Sequence, residues 1–167
     1  MRLRNMSSSS FTTTPDDRYF EDYIPGAVHE FGAIAVDEQE VIDFGERYVP
    51  LSYHTDKEAA KHSLYGGVIA SGWHTAALMM RVYVENYLSS VANLGSPGGD
   101  ELRWPKPVFP GDVLSVRATV LEARRSESRP DRGIVRTSIE VLNQKKDVVM
   151  SMKMVNFVLS RQSQGGR

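Results

Sequence analysis

The chain has no cysteine in 167 residues. Disulfides, thiolate nucleophiles and cysteine-ligated zinc are therefore excluded. It also lacks an excess of either charge: 20 basic side chains oppose 21 acidic ones, for a net charge of −1. A balance of that kind gives no electrostatic footprint for nucleic acid or an anionic membrane. No apolar run is long enough to span a bilayer. Met1-Arg2-Leu3-Arg4-Asn5-Met6-Ser7 has basic residues but no apolar segment behind them, so no secretory leader is read there. A soluble cytoplasmic protein without membrane or nucleic-acid partners is the expectation. His54, His62 and His74 have no carboxylate at metal-ligand spacing, and no metal is expected.

What is present suits one globular domain: hydrophobic residues make up 41% and charged residues 25%. The polar run SSSSFTTT at 7–14 and the SRQSQGGR end at 160–167 have little to bury. They read as a flexible leader (1–18) and a flexible tail (160–167) around one domain at 19–159. Val28–Val36 has strand character, and Asp37 with Glu40 marks a helix start. Thr55-Asp56-Lys57-Glu58 marks another. The longest helical pattern starts near Ser71, with Trp73, Ala76, Ala77, Met80, Val84, Tyr87, Leu88 and Val91 at helical spacing. Leu78, Met79, Val82 and Tyr83 make its other side apolar too, which predicts an enclosed helix. Beyond it, Leu114–Val120, Val135–Val141 and Met150–Met154 alternate with polar residues, the period of antiparallel strands wetted on one side. Asn143–Asp147 fits a hairpin turn. The fold class is α+β: a curved antiparallel sheet wrapped around one helix, its exposed edge relieved by pairing into a dimer.

Three segments are more specific. Pro50-Leu51-Ser52-Tyr53-His54-Thr55-Asp56, then Tyr65-Gly66-Gly67-Val68-Ile69-Ala70-Ser71-Gly72-Trp73-His74-Thr75, then Pro107 to Pro110-Gly111-Asp112 follow one another at family spacing. In this the chain resembles the MaoC-like dehydratases and (R)-specific enoyl-CoA hydratases, a branch of the hotdog-fold superfamily. The resemblance implies a hotdog domain that forms a homodimer or higher oligomer. It also implies hydration of a trans-2-enoyl thioester to an (R)-3-hydroxyacyl thioester, or the reverse. No cofactor is implied beyond the coenzyme A or acyl-carrier phosphopantetheine that the substrate brings.

The resemblance makes His54 the catalytic imidazole and Gly72 the residue whose backbone N–H receives the thioester oxygen. A helix N-terminus with unpaired N–H groups suits that task on physical grounds. Val49, Tyr53, Ser71, Trp73 and His74 are expected around the substrate. The family's aspartate, five residues before the histidine, is replaced by Val49, and a helix serine of some members is replaced by Met80. Asp43, Glu46 or Asp56 are candidate stand-ins, with Tyr48 and Tyr53 as hydroxyl sources. The lost acid opens a second reading, a non-catalytic acyl-thioester binding module or the inactive half of a mixed dehydratase. A hotdog thioesterase is a third, opposed by the lack of any Asp or Glu between Ser71 and Arg81. The basic stretch Arg124–Arg132 reads as solvated hairpin or as a grip for coenzyme A phosphates. Met150, Met152 and Met154 read as core filler or as a soft wall for acyl chains.

Overall fold

The structure is a computed structural model that describes residues 11–165. Its elements are β1 (Val28–Ala35), α1 (Glu38–Tyr48), α2 (Ser52–Thr55), α3 (Lys57–Lys61), α4 (Gly72–Asn86), β2 (Gly98–Arg103), β3 (Val113–Arg125), β4 (Arg132–Leu142) and β5 (Val148–Leu159). The five strands form one antiparallel sheet in the order β1-β3-β4-β5-β2. α4 lies against β1, β3 and β5. This is the expected α+β hotdog arrangement.

The elements follow from the pattern. Leu114, Val116, Ala118 and Val120 on β3, and Val135, Thr137, Ile139 and Val141 on β4, are all essentially buried. They face Leu78, Met79, Val82 and Tyr83 of α4, which are buried as well. Asp37 caps α1 by accepting from the Glu40 N–H, and Ser71 caps α4 by accepting from the Trp73 N–H. β1 meets α4 closely at Gly32, which sits at a positive φ of 80° in an irregular stretch of the strand. A Cβ there would lie 2.2 Å from a Val82 methyl carbon, so the approach requires glycine.

Three expectations need correction. First, α4 is not enclosed on all sides. The Leu78–Tyr83 face is buried, while Trp73 and Val84 on the other face are 59% and 51% exposed. A single five-stranded sheet covers about one side of a helix, and the apolar composition of the far side does not bury it. Second, β2 was not foreseen as a strand. Its sequence, GGDELR, is almost wholly exposed and has no apolar alternation, as befits an edge strand interrupted at Glu101 by a positive φ of 55°.

Third, the ordered unit extends past both expected limits. Phe11 stacks on His29 with ring centroids 3.9 Å apart and meets Tyr23 and Tyr87 edge-on. Arg18 is 3% exposed, donates to the carbonyls of Asn86, Tyr87 and Thr13, and lies over the Phe11 ring. At the other end, Ser160 is fully buried and bonded to Glu21, and Arg161 pairs with Asp17 and Asp22. One phenylalanine and one arginine anchor a stretch whose average composition is polar. The rest of the expected leader and tail, residues 1–10 and 166–167, lies outside the described residues.

Candidate active site

His54 sits in α2, a single helical turn. The residue is 6% exposed, and Nδ1 lies 2.7 Å from the Ile69 carbonyl oxygen. A carbonyl can only accept, so Nδ1 carries the proton, and in the neutral ring Nε2 is the nitrogen with the lone pair. The Ile69 N–H donates in turn to the Tyr53 carbonyl at 3.0 Å, so two bonds tie α2 to the segment leading into α4. Behind the histidine, α1 comes close through Gly45, where an added Cβ would lie 3.0 Å from the His54 Cβ. The Ile69 carbonyl thus orients the imidazole, and α1 backs the turn that carries it.

In front of it opens a cavity of about 290 Å³. Its walls are Tyr53, His54, Tyr65, Ile69, Ala70, Gly72, Trp73, Thr75, Trp104, Lys106, Pro107 and Val108. Gly72 is the first residue of α4, so its N–H has no acceptor within the helix. The Trp104 indole lies directly on this glycine: an added Cβ would fall 2.5 Å from Cε2. The Lys106 ammonium, the one cation among these side chains, pairs with Asp147 at 2.9 Å.

Four expected site residues, Tyr53, His54, Gly72 and Trp73, therefore share one cavity. Three do not. Val49 ends α1 as its C-cap. The Ser71 hydroxyl is turned back to cap α4. His74 follows Trp73 by one helical position, about 100° around the axis. It stacks instead on Phe44 of α1, with centroids 4.9 Å apart, beside a second hollow that also includes Arg47 and Tyr48. Burial holds the His74 imidazole below its ordinary pKa, opposed in part by Glu40. None of the stand-in carboxylates lines the His54 cavity. Asp56 caps α3, Glu46 is exposed, and Asp43 belongs to the second hollow.

Tyr65, Thr75, Trp104 and Lys106 were not anticipated. The available signal was Trp104-Pro105-Lys106-Pro107, an aromatic side chain in a stiff segment just before the Pro110-Gly111-Asp112 turn. The basic stretch stays off the cavity: Arg125 bonds Pro130, Ser160 and Glu21, and Arg132 pairs with Asp131. Met150 is buried in the core, and Met152 and Met154 pack against it. Among the described residues no cluster of three or more His, Asp or Glu is placed to hold a metal ion. No described helix is long and apolar enough to cross a membrane.

Comparison with known proteins agrees with this fold. A MaoC-like dehydratase from Rhodospirillum rubrum has a crystal structure that superposes with a TM-score of 0.80 at 39% identity, covering 86% of this chain and 98% of that one. The uncharacterized protein YdeM of Bacillus subtilis is 25% identical over 126 residues, 75% of this chain and 88% of that protein. Mesaconyl-CoA hydratase of Cereibacter sphaeroides is 40% identical over 74 residues, 44% of this chain but 20% of that protein's length. The family described as MaoC like domain matches residues 30–143, more than half of the chain. With the hotdog fold and the histidine facing a cavity at the head of α4, this chain belongs to the MaoC-like dehydratase family.

Proposed function

We propose that the chain adds water to a trans-2-enoyl thioester, or removes it in reverse, using His54 as the single proton carrier. The observation that supports this most is the fixed tautomer: Nδ1 is committed to the Ile69 carbonyl, and Nε2 makes no hydrogen bond among the described residues. Nε2 takes a proton from water as the water oxygen bonds to C3. The electron pair of the double bond moves onto the thioester oxygen as an enolate, which the Gly72 N–H stabilises. The imidazolium then returns its proton to C2, so that H and OH have been added and the base is restored. Val49 leaves no carboxylate at the family's second position, and Tyr53, Tyr65 and Thr75 are the cavity residues with hydroxyls that could hold the water. The relative named mesaconyl-CoA hydratase supports the same reaction type on a coenzyme A thioester.

The chain further acts as a homodimer in this reading, with the free edge of β2 and the apolar Trp73–Val84 stripe of α4 as the contact face. The cell compartment is the cytoplasm.

The test is loss of enoyl absorbance from crotonyl-CoA on adding the purified chain, and its disappearance in His54→Ala. The cavity's lack of a carboxylate favours one competitor, a binding module without turnover. That competitor stands if crotonyl-CoA persists while butyryl-CoA binds with micromolar affinity.

A further inference from the structure

The geometry points to Trp104 as the side chain that limits acyl length, making the substrate a short thioester of about four or five carbons; this rests on the acyl-thioester reading above. An acyl group placed at Gly72 and His54 has two directions in which to extend. One leads between α4 and the sheet. That space is full: Met79, Tyr83 and Tyr87 are 2%, 0% and 1% exposed, and the two tyrosine rings stack at 4.7 Å. The other leads sideways past the start of α4, and there the Trp104 indole rests on the helix backbone. Three of its ring carbons lie 2.5, 2.6 and 2.9 Å from where a Gly72 Cβ would be.

This wall is held in place. Trp73 meets the indole edge-on, centroids 5.3 Å apart at 75°. Pro105 and Pro107 restrict the backbone after it. Lys106 is paired to Asp147, and the Val108 carbonyl accepts from the Ala70 N–H at 2.8 Å. The cavity of about 290 Å³ is at the lower end of the ~300–1,000 Å³ of small-molecule sites. Part of that space must take the thioester and the end of the pantetheine arm.

The experiment uses the full chain and the variants Trp104→Phe and Trp104→Ala. The sequence has two tryptophans, Trp73 and Trp104, and both line this cavity. Trp73 fluorescence therefore reports occupancy in every variant. Titrations with butyryl-CoA and octanoyl-CoA are paired with hydration rates on crotonyl-CoA and trans-2-octenoyl-CoA. The wild-type chain should favour the four-carbon ligand by about tenfold or more. Trp104→Ala should bring the ratio to within about threefold by gaining on the eight-carbon ligand, with Trp104→Phe in between. Equal handling of both lengths by the wild type overturns the proposal, as does equal loss of both in the folded phenylalanine variant, or the absence of any acyl-CoA binding. Length-selective binding without turnover upholds the role of Trp104 and removes the hydratase reading instead.

Discussion

The two ends of α4 are finished in opposite ways. At its C-terminus two carbonyls are taken up by side chains: Arg18 donates to Asn86 and Tyr87, and the Tyr23 hydroxyl donates to Tyr87 at 2.9 Å. Phe11, Tyr23, His29, Tyr83 and Tyr87 close over them in a network of stacked and edge-on rings. Burial pushes the Tyr83 and Tyr87 phenols well above their ordinary pKa, so both stay neutral across the physiological range. At its N-terminus Ser71 satisfies one N–H, the Gly72 N–H is given no acceptor among the described residues, and the space in front stays open. A cation on the C-terminal carbonyls and a vacant donor at the N-terminus both follow from the helix dipole. One end contributes stability; the other, in the proposed reaction, is where the thioester oxygen docks.

That contrast can be broken from either side. The largest effect belongs to the open end: His54→Ala should cut kcat for enoyl hydration by roughly 10²–10⁴-fold, measured on protein whose unfolding midpoint is checked in parallel. At the closed end, Arg18→Ala should remove about 2–4 kcal/mol of stability by leaving buried carbonyls without their charged donor. Urea unfolding reads this loss, while the rate per folded molecule should hold. Gly72→Ala should cost about 1–3 kcal/mol, because its methyl group displaces the indole. In a Trp104→Ala background the same change should be nearly neutral, and a double-mutant cycle measures the difference. Tyr87→Phe deletes the 2.7 Å hydrogen bond to Thr137 and should cost ~1 kcal/mol in the same assay.

The smallest effect is a pH dependence. The His74 pKa is depressed by burial in the folded chain, so the unfolded chain binds the proton more readily. Stability from this group is complete above the unfolded value of about 6.5 and declines as pH falls below it. His74→Gln should flatten that part of the melting-temperature profile between about pH 7 and 5 and leave the alkaline side unchanged.

Much of the scaffold was legible in local pattern. Period-two alternation marked the inward rows of β3, β4 and β5, and Asp37 and Asp56 marked two helix starts through cap chemistry that depends on near neighbours alone. His54 and Gly72 were legible through motif spacing. Trp104 was not, since its contact with Gly72 joins residues 32 positions apart that nothing local relates. β2 escaped because an exposed edge strand needs no apolar rhythm. Phe11 and Arg18 escaped because two anchoring side chains do not change the average character of a polar segment.

The residues by themselves determined the antiparallel strands, the helix that packs on them and the histidine before its start. Short-range periodicity and capping carry that information. Tertiary structure alone decided which face of α4 is covered, that Val49, Ser71 and His74 turn away from the cavity, and that an indole closes its side. Those outcomes depend on which distant surfaces meet, and packing settles them only once the whole chain has folded.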